Sequence, residues 1–99
     1  MVKHIVLWNF VEEMTAAERD IAGKRIKTLL EPIKELVPGA VDIQVILNGQ
    51  PTGNRDIALL STFETTEALA VYQSHPDHVA AGKYIRSVTC DRACMDFEF

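Results

Sequence analysis

Basic residues are scarce in this chain: 10 lysines and arginines stand against 14 aspartates and glutamates, a formal net charge of -4. A protein that grips a phosphate backbone needs a basic face, so the deficit argues against nucleic acid as a partner. The one basic cluster, Lys24, Arg25 and Lys27, falls among helix-forming residues and reads as a solvated helix face. Long apolar runs are also missing. No stretch approaches the roughly 20 apolar residues that a membrane span requires. The start, MVKHIVLWNF, has one lysine and a short apolar stretch, without an h-region or an A-x-A cleavage site. These absences point to a cytoplasmic protein and away from a membrane. Cysteine is limited to Cys90 and Cys94. Four apart in a strand, the two share a face at a separation of roughly 13 Å, too far for a disulfide. They read as free, reduced, buried thiols, and no His or Asp at ligand spacing makes them a strong zinc signal.

What is present describes one domain over residues 1–99, with 47% hydrophobic and 24% charged residues. A chain of this size buries a modest fraction of its surface, so a partner subunit would help it. Residues 3–11 are rich in Ile, Val, Leu, Trp and Phe without a helical stripe, which predicts a strand. Thr15-Ala-Ala-Glu18 has capping-box spacing and opens a helix whose Ala22, Ile26, Leu29, Leu30 and Ile33 recur at threes and fours. Pro32 interrupts that helix and Pro38-Gly39 stops it. In residues 40–48, Val41, Ile43, Val45 and Leu47 alternate with their neighbours as a second strand; NGQPTGN is a polar turn, and 56–64 is a third strand. Thr65-Thr66 caps a helix carrying Ala68, Leu69 and Tyr72. His75 precedes proline and is biased out of the helical region, so the helix breaks there and Pro76 starts another. CDRACMDFEF closes the chain as a fourth strand.

The order β-α-β-β-α-β is that of an α+β, ferredoxin-like sandwich, a four-stranded antiparallel sheet with its helices on one face. Both faces of the sheet read as largely apolar. In the first strand His4, Val6, Trp8 and Phe10 point one way and Ile5, Leu7 and Val11 the other; the last strand sends Ala93, Met95, Phe97 and Phe99 to one side and Cys90 and Cys94 to the other. A sheet covered by helices on one side normally leaves its other face polar, so this pattern asks for a second cover. A second copy would supply it, forming a homodimer through the open sheet face with a barrel-like centre.

Chemistry concentrates in YQSHPDHV, positions 72–79. His78 falls in the first turn of the helix that starts near Pro76, where the positive end of the macrodipole disfavours an imidazolium; Asp77 beside it pulls the other way. A neutral His78 is a usable base at pH 7. Tyr72, one turn before the break, can donate to a carbonyl oxygen as negative charge builds there, or it can bury its ring and anchor its hydroxyl. His75 is either a helix cap or a pocket residue, and His4 either a satisfied core histidine or a polar group facing a pocket. His75 and His78 are spaced as possible metal ligands, with Asp77 adjacent, but the proline turns the chain between them and no second ligand pair is evident, so no metal is assigned.

The opening VKHIVLWNF, the join TFETTEAL, the YQSHPDHV segment and the closing DFEF together resemble the stress-responsive dimeric α/β-barrel (Dabb) family over essentially the whole chain. The most specific part is Tyr72 with His75-Pro76-x-His78-Val79, backed by Lys3-His4. The resemblance implies a homodimer with a small pocket in each subunit between the sheet and its own helices. It also implies kinship with plant polyketide cyclases, which close a linear polyketide by aldol condensation without a cofactor and in which the positions matching Tyr72 and His78 form the acid/base pair. The pocket so implied is lined by His4, Val6, Trp8, Ile26, Leu59 and His75 and takes a small-molecule ligand of unknown identity. The chain departs from the cyclases at Ala22, Gly23 and Ile26, where they carry bulky aromatics, and at Ile57, where they carry histidine. Two other readings use the same fold: a non-catalytic stress-associated dimer, and an enzyme like the antibiotic-biosynthesis monooxygenases.

Overall fold

The computed structural model describes residues Met1–Phe99. Four strands, β1 (Val2–Phe10), β2 (Ala40–Ile46), β3 (Ile57–Phe63) and β4 (Thr89–Glu98), form one antiparallel sheet in the order β2-β3-β1-β4. Helices α1 (Ala16–Leu30), α2 (Thr66–Ser74) and α3 (Pro76–Val88) cover one face, and a 3-10 helix, Glu31–Leu36, continues α1 past the interruption expected at Pro32. This is the ferredoxin-like arrangement. The expected capping box is present: Thr15 accepts from the Glu18 amide and Glu18 answers at the Thr15 amide. No helix is long and apolar enough to cross a membrane.

Strand β1 lies between β3 and β4 and divides its residues by parity. Val2, His4, Val6, Trp8 and Phe10 are buried against the helices, while Lys3, Ile5, Leu7 and Asn9 are half-buried on the far side. Pairing carries that division across the sheet. Val6 stands opposite Leu59 of β3, and Val45 of β2 opposite the same Leu59, so these three meet on the helix side. Ile5, Leu60 and Met95 align on the outer side. The core is a continuous cluster in which Phe63, Ile26, Leu30, Ile33, Val45 and Tyr72 are almost fully sealed from solvent.

Two register shifts separate the observed strands from simple alternation. One, between Ala40 and Asp42, leaves Val41 exposed instead of aligned inward with Ile43 and Val45. The other puts one extra residue into β4: Ala93 pairs with Leu7 but Cys90 with Asn9, and Asp91 takes a positive φ of 53°. Cys94 then lies opposite Val6 and Cys90 opposite Asn9, on opposite faces of the sheet. Both thiols are free and exposed, in contrast to the shared face and burial expected from their spacing, because β4 is an edge strand that projects beyond the helix layer.

Gly39 ends the turn into β2 with φ 88°, and a β-carbon there would sit 2.9 Å from Ala68 Cβ. Its carbonyl accepts from the Glu64 amide at 2.8 Å, which ties the start of β2 to the end of β3. Gly39→Ala should therefore lower stability by about 1–3 kcal/mol through backbone strain alone, with the contact to Ala68 adding to it. Urea unfolding measures this; an unchanged midpoint would refute the strain assigned to this turn.

Candidate functional site

The break between α2 and α3 assembles the site. His75 sits in the extended region (φ -61°, ψ 136°), as a residue preceding proline should, and its amide still donates to the Tyr72 carbonyl at 3.2 Å. Its ring caps α3: Nδ1 accepts from the Asp77 amide at 3.1 Å. The chain therefore turns sharply between Tyr72 and His78, and their rings pack with centroids 4.5 Å apart. His78 Nδ1 lies 3.0 Å from the Gln73 carbonyl oxygen, which can only accept; Nδ1 carries the proton and Nε2 is left with the lone pair.

Tyr72 and His78 lie in the wall of a cavity of about 140 Å³ between the sheet and the helices. Its floor is His4, Val6 and Trp8 of β1 with Leu59 of β3; the last turn of α1 contributes Leu30. On α3 the lining residues His78, Gly82 and Arg86 follow at intervals of four, one helical stripe, and Gly82 leaves room where a side chain would reach toward the sheet. Arg92 of β4 completes the rim. Two of the expected wall residues are elsewhere. Ile26 is fully buried one turn before Leu30, which meets the cavity in its place, and His75 is engaged as the cap of α3. A larger depression of about 660 Å³, lined by Asn9, Gln50, Asn54, Arg55 and Asp91 among others, lies beside the polar turn; it is mostly hydrophilic and contains neither histidine nor tyrosine.

The electrostatics of the pair are set by burial. The Tyr72 ring packs on Phe63 at 5.1 Å and is wholly enclosed, and its hydroxyl, though buried, has no hydrogen-bond partner. That burial pushes the phenol well above its ordinary value, so it stays a donor. Burial also holds the His78 imidazole below the usual histidine range; the bond to Gln73 opposes this, and the charges of His4, Arg92 and Arg86 assist it. Asp77, which the sequence places to raise it, is exposed to water and is not among the groups that set it. His4, buried on β1, donates from Nδ1 to the Asp96 carboxylate across the β1–β4 pairing, and its ring meets Tyr72 edge-on at 6.3 Å.

Cys94 Sγ lies 3.8 Å from His4 Nδ1 and 3.7 Å from Asp96 Oδ1, and these three donor atoms fall within 4.8 Å of one another. They are the trio spaced to hold a cation, at the expense of the His4–Asp96 hydrogen bond and of the Cys94 proton, which partial desolvation and the Asp96 carboxylate hold in place against the pull of Arg92. His75 and His78 are not so placed, since each commits Nδ1 to the backbone.

A family model for the stress responsive A/B barrel domain matches residues 2–99. The chain belongs to that family. Among solved structures, a dimeric protein of unknown function and ferredoxin-like fold from Bacteroides fragilis is 35% identical, with 99% of this chain and 95% of that chain covered and a TM-score of 0.90. A dimeric ferredoxin-like protein of unknown function from Thermobifida fusca is 24% identical, with 99% and 90% covered and a TM-score of 0.82. An antibiotic biosynthesis monooxygenase is 13% identical over 100% and 98% of the two chains, with a TM-score of 0.78; that likeness is one of fold. No curated protein matches the chain.

In this A/B barrel domain, sequence reasoning named six of the residues that meet at the cavity, His4, Val6, Trp8, Leu59, Tyr72 and His78. It missed Leu30, Gly82, Ile85, Arg86 and Arg92, and the Asp96 that holds His4. The spacing 78-82-86 was a usable signal for Gly82 and Arg86. Asp96 needed the strand pairing.

A depressed His78 has a definite consequence for stability. The unfolded chain binds a proton near pH 6.5 and the folded chain only at lower pH, so stability is full above that value and declines as pH falls through the folded one. NMR titration of the imidazole should give a midpoint below 6.5. A midpoint at or above it would contradict the burial described here.

Proposed function

We propose that this chain is a homodimeric small-molecule enzyme that moves protons on a carbonyl compound, with His78 as general base and Tyr72 as donor to the developing oxyanion. The observation that carries the reading is the Tyr72 hydroxyl, buried at the cavity without a partner. Leaving such a group unsatisfied costs about 1–3 kcal/mol, a cost that a ligand oxygen would offset. Beside it stands a histidine whose tautomer leaves Nε2 free and whose burial keeps it neutral at pH 7. In an aldol closure His78 Nε2 takes a proton from the carbon next to a carbonyl, and the enolate oxygen that forms accepts from Tyr72. The enolate carbon then attacks a second carbonyl of the same chain, making one carbon–carbon bond. The resulting alkoxide takes the proton back from the imidazolium. His4, oriented by Asp96, adds a second polar contact on the cavity floor. Membership of the A/B barrel family and the resemblance of the YQSHPDHV segment to the polyketide cyclases support a poly-β-ketone as the substrate type.

Cyclisation of a linear poly-β-ketone tests this. Tyr72→Phe should reduce turnover by about 10²–10³-fold and His78→Gln by about 10²–10⁴-fold. Because the phenylalanine removes an unsatisfied polar atom, that variant should be as stable as the parent or more so. If instead both variants lose stability while turnover survives, or while the parent shows none, the residues serve packing.

The assembly belongs to the same proposal. The outer sheet face displays Ile5, Leu7, Leu60 and Ile46 half-buried and Met95 and Phe97 exposed, a contiguous apolar surface opposite the helices. Two structural relatives are described as dimeric. Pairing two such faces would remove apolar surface from water at about 25 cal/mol per Å². Light scattering at micromolar concentration should give twice the chain mass for the parent and a monomer for Leu60→Glu/Met95→Glu. A monomeric parent would end the proposal of a dimer.

A further inference from the structure

The lining of the cavity carries two cationic side chains that no carboxylate of the protein pairs with. Of the ten basic side chains, four are in ion pairs, Arg19 with Asp56, Lys24 with Asp20, Lys27 with Glu31 and Lys34 with Glu35, and Arg25 lies over the Tyr84 ring at 4.2 Å; Lys3 bonds Thr62 and Arg55 bonds backbone carbonyls. Arg86 and Arg92 form no ion pair, although the chain has more acidic than basic residues. Both line the same cavity, Arg86 from α3 and Arg92 from β4. Arg86 is admitted by Gly82: its Nη1 lies 3.2 Å from where a β-carbon at that position would stand. Arg92 is the residue after the bulge at Asp91, and with Ala93 committed to the outer face it projects to the helix side. Asp96, on that same side of β4, is occupied by His4.

Both guanidiniums are exposed at the cavity lining, and a planar anion that meets both accepts charge-assisted hydrogen bonds from each. Deeper in the cavity, the unpartnered Tyr72 hydroxyl requires an acceptor. One molecule can meet both demands. We propose that the ligand of this cavity is a carboxylate-bearing carbonyl compound, its acid group held by Arg86 and Arg92 at the rim and its carbonyl oxygen directed to Tyr72. This inference rests on the reading of the cavity as a ligand site and specifies what that site takes.

Benzoate and its neutral isostere benzamide separate the two levels. Binding is measured by calorimetry on the full chain, with the His78 ring signals in NMR reporting whether the probe occupies the cavity. The parent should bind benzoate at least tenfold more tightly than benzamide, and both should shift the His78 signals. Arg86→Gln/Arg92→Gln should weaken benzoate tenfold or more and leave benzamide within twofold. Equal binding of the two probes by the parent, or a preference for benzoate that survives in the double variant, would overturn the acid-group assignment and leave the ligand site standing. If neither probe shifts His78, the ligand site falls as well.

Discussion

The structure depends on the parity of one nine-residue strand. Because β1 lies inside the sheet, with β3 on one side and β4 on the other, its alternation sets which residues of both partners face the helices. A slip by one residue would exchange His4, Val6 and Trp8 for Lys3, Ile5 and Leu7, placing a lysine under the helix layer and the histidine outside. Such a slip is blocked twice, since both edges of β1 would have to slip together. The helix side is bulkier, with Trp8 and Phe10 under α1 and α3; the outer side is lighter and flatter. A helical layer suits the first and another sheet suits the second.

On that base the site is made by a deliberate interruption. An unbroken helix would carry Tyr72 and His78 on adjacent turns at a fixed spacing, with every backbone group used internally. Pro76 removes a donor and His75 takes the extended conformation, so backbone groups near the break turn to side chains: the Asp77 amide to the His75 ring and the Gln73 carbonyl to the His78 ring. The polar cost of breaking a helix is thereby met by the two histidines themselves. In meeting it, the second acquires a fixed tautomer. The features that make His78 chemically useful, a defined lone pair and a depressed affinity for protons, arise from how the break is satisfied and from the burial that follows.

Legibility in the sequence followed the range of the interactions involved. The capping box at Thr15, the interruption at Pro32 and the break at His75 are local, and each stood where the residues placed it. The alternation of β1 was readable because nothing disturbs its period. Val41 and Cys90 were not, since each lies beside a register shift that only the partner strand reveals. The same boundary divides the cavity. Tyr72 and His78 lie six residues apart around a proline, so their proximity was open to reading. Ile26 and Leu30 share a helix face, and which of them meets the cavity is decided by how α1 is docked on the sheet, a matter of packing. Arg92 meets the cavity, and Asp96 meets His4, through the β1–β4 register, about 90 residues away in sequence from that histidine.

The alternation of β1 also leaves no spacer between its two sides. Ile5 and Leu7 are each bonded on both flanks to residues that line the cavity, His4, Val6 and Trp8, so a single peptide unit separates the outer surface from the cavity. The same backbone therefore serves two surfaces at once, and each substitution in β1 falls on one of them by its parity alone.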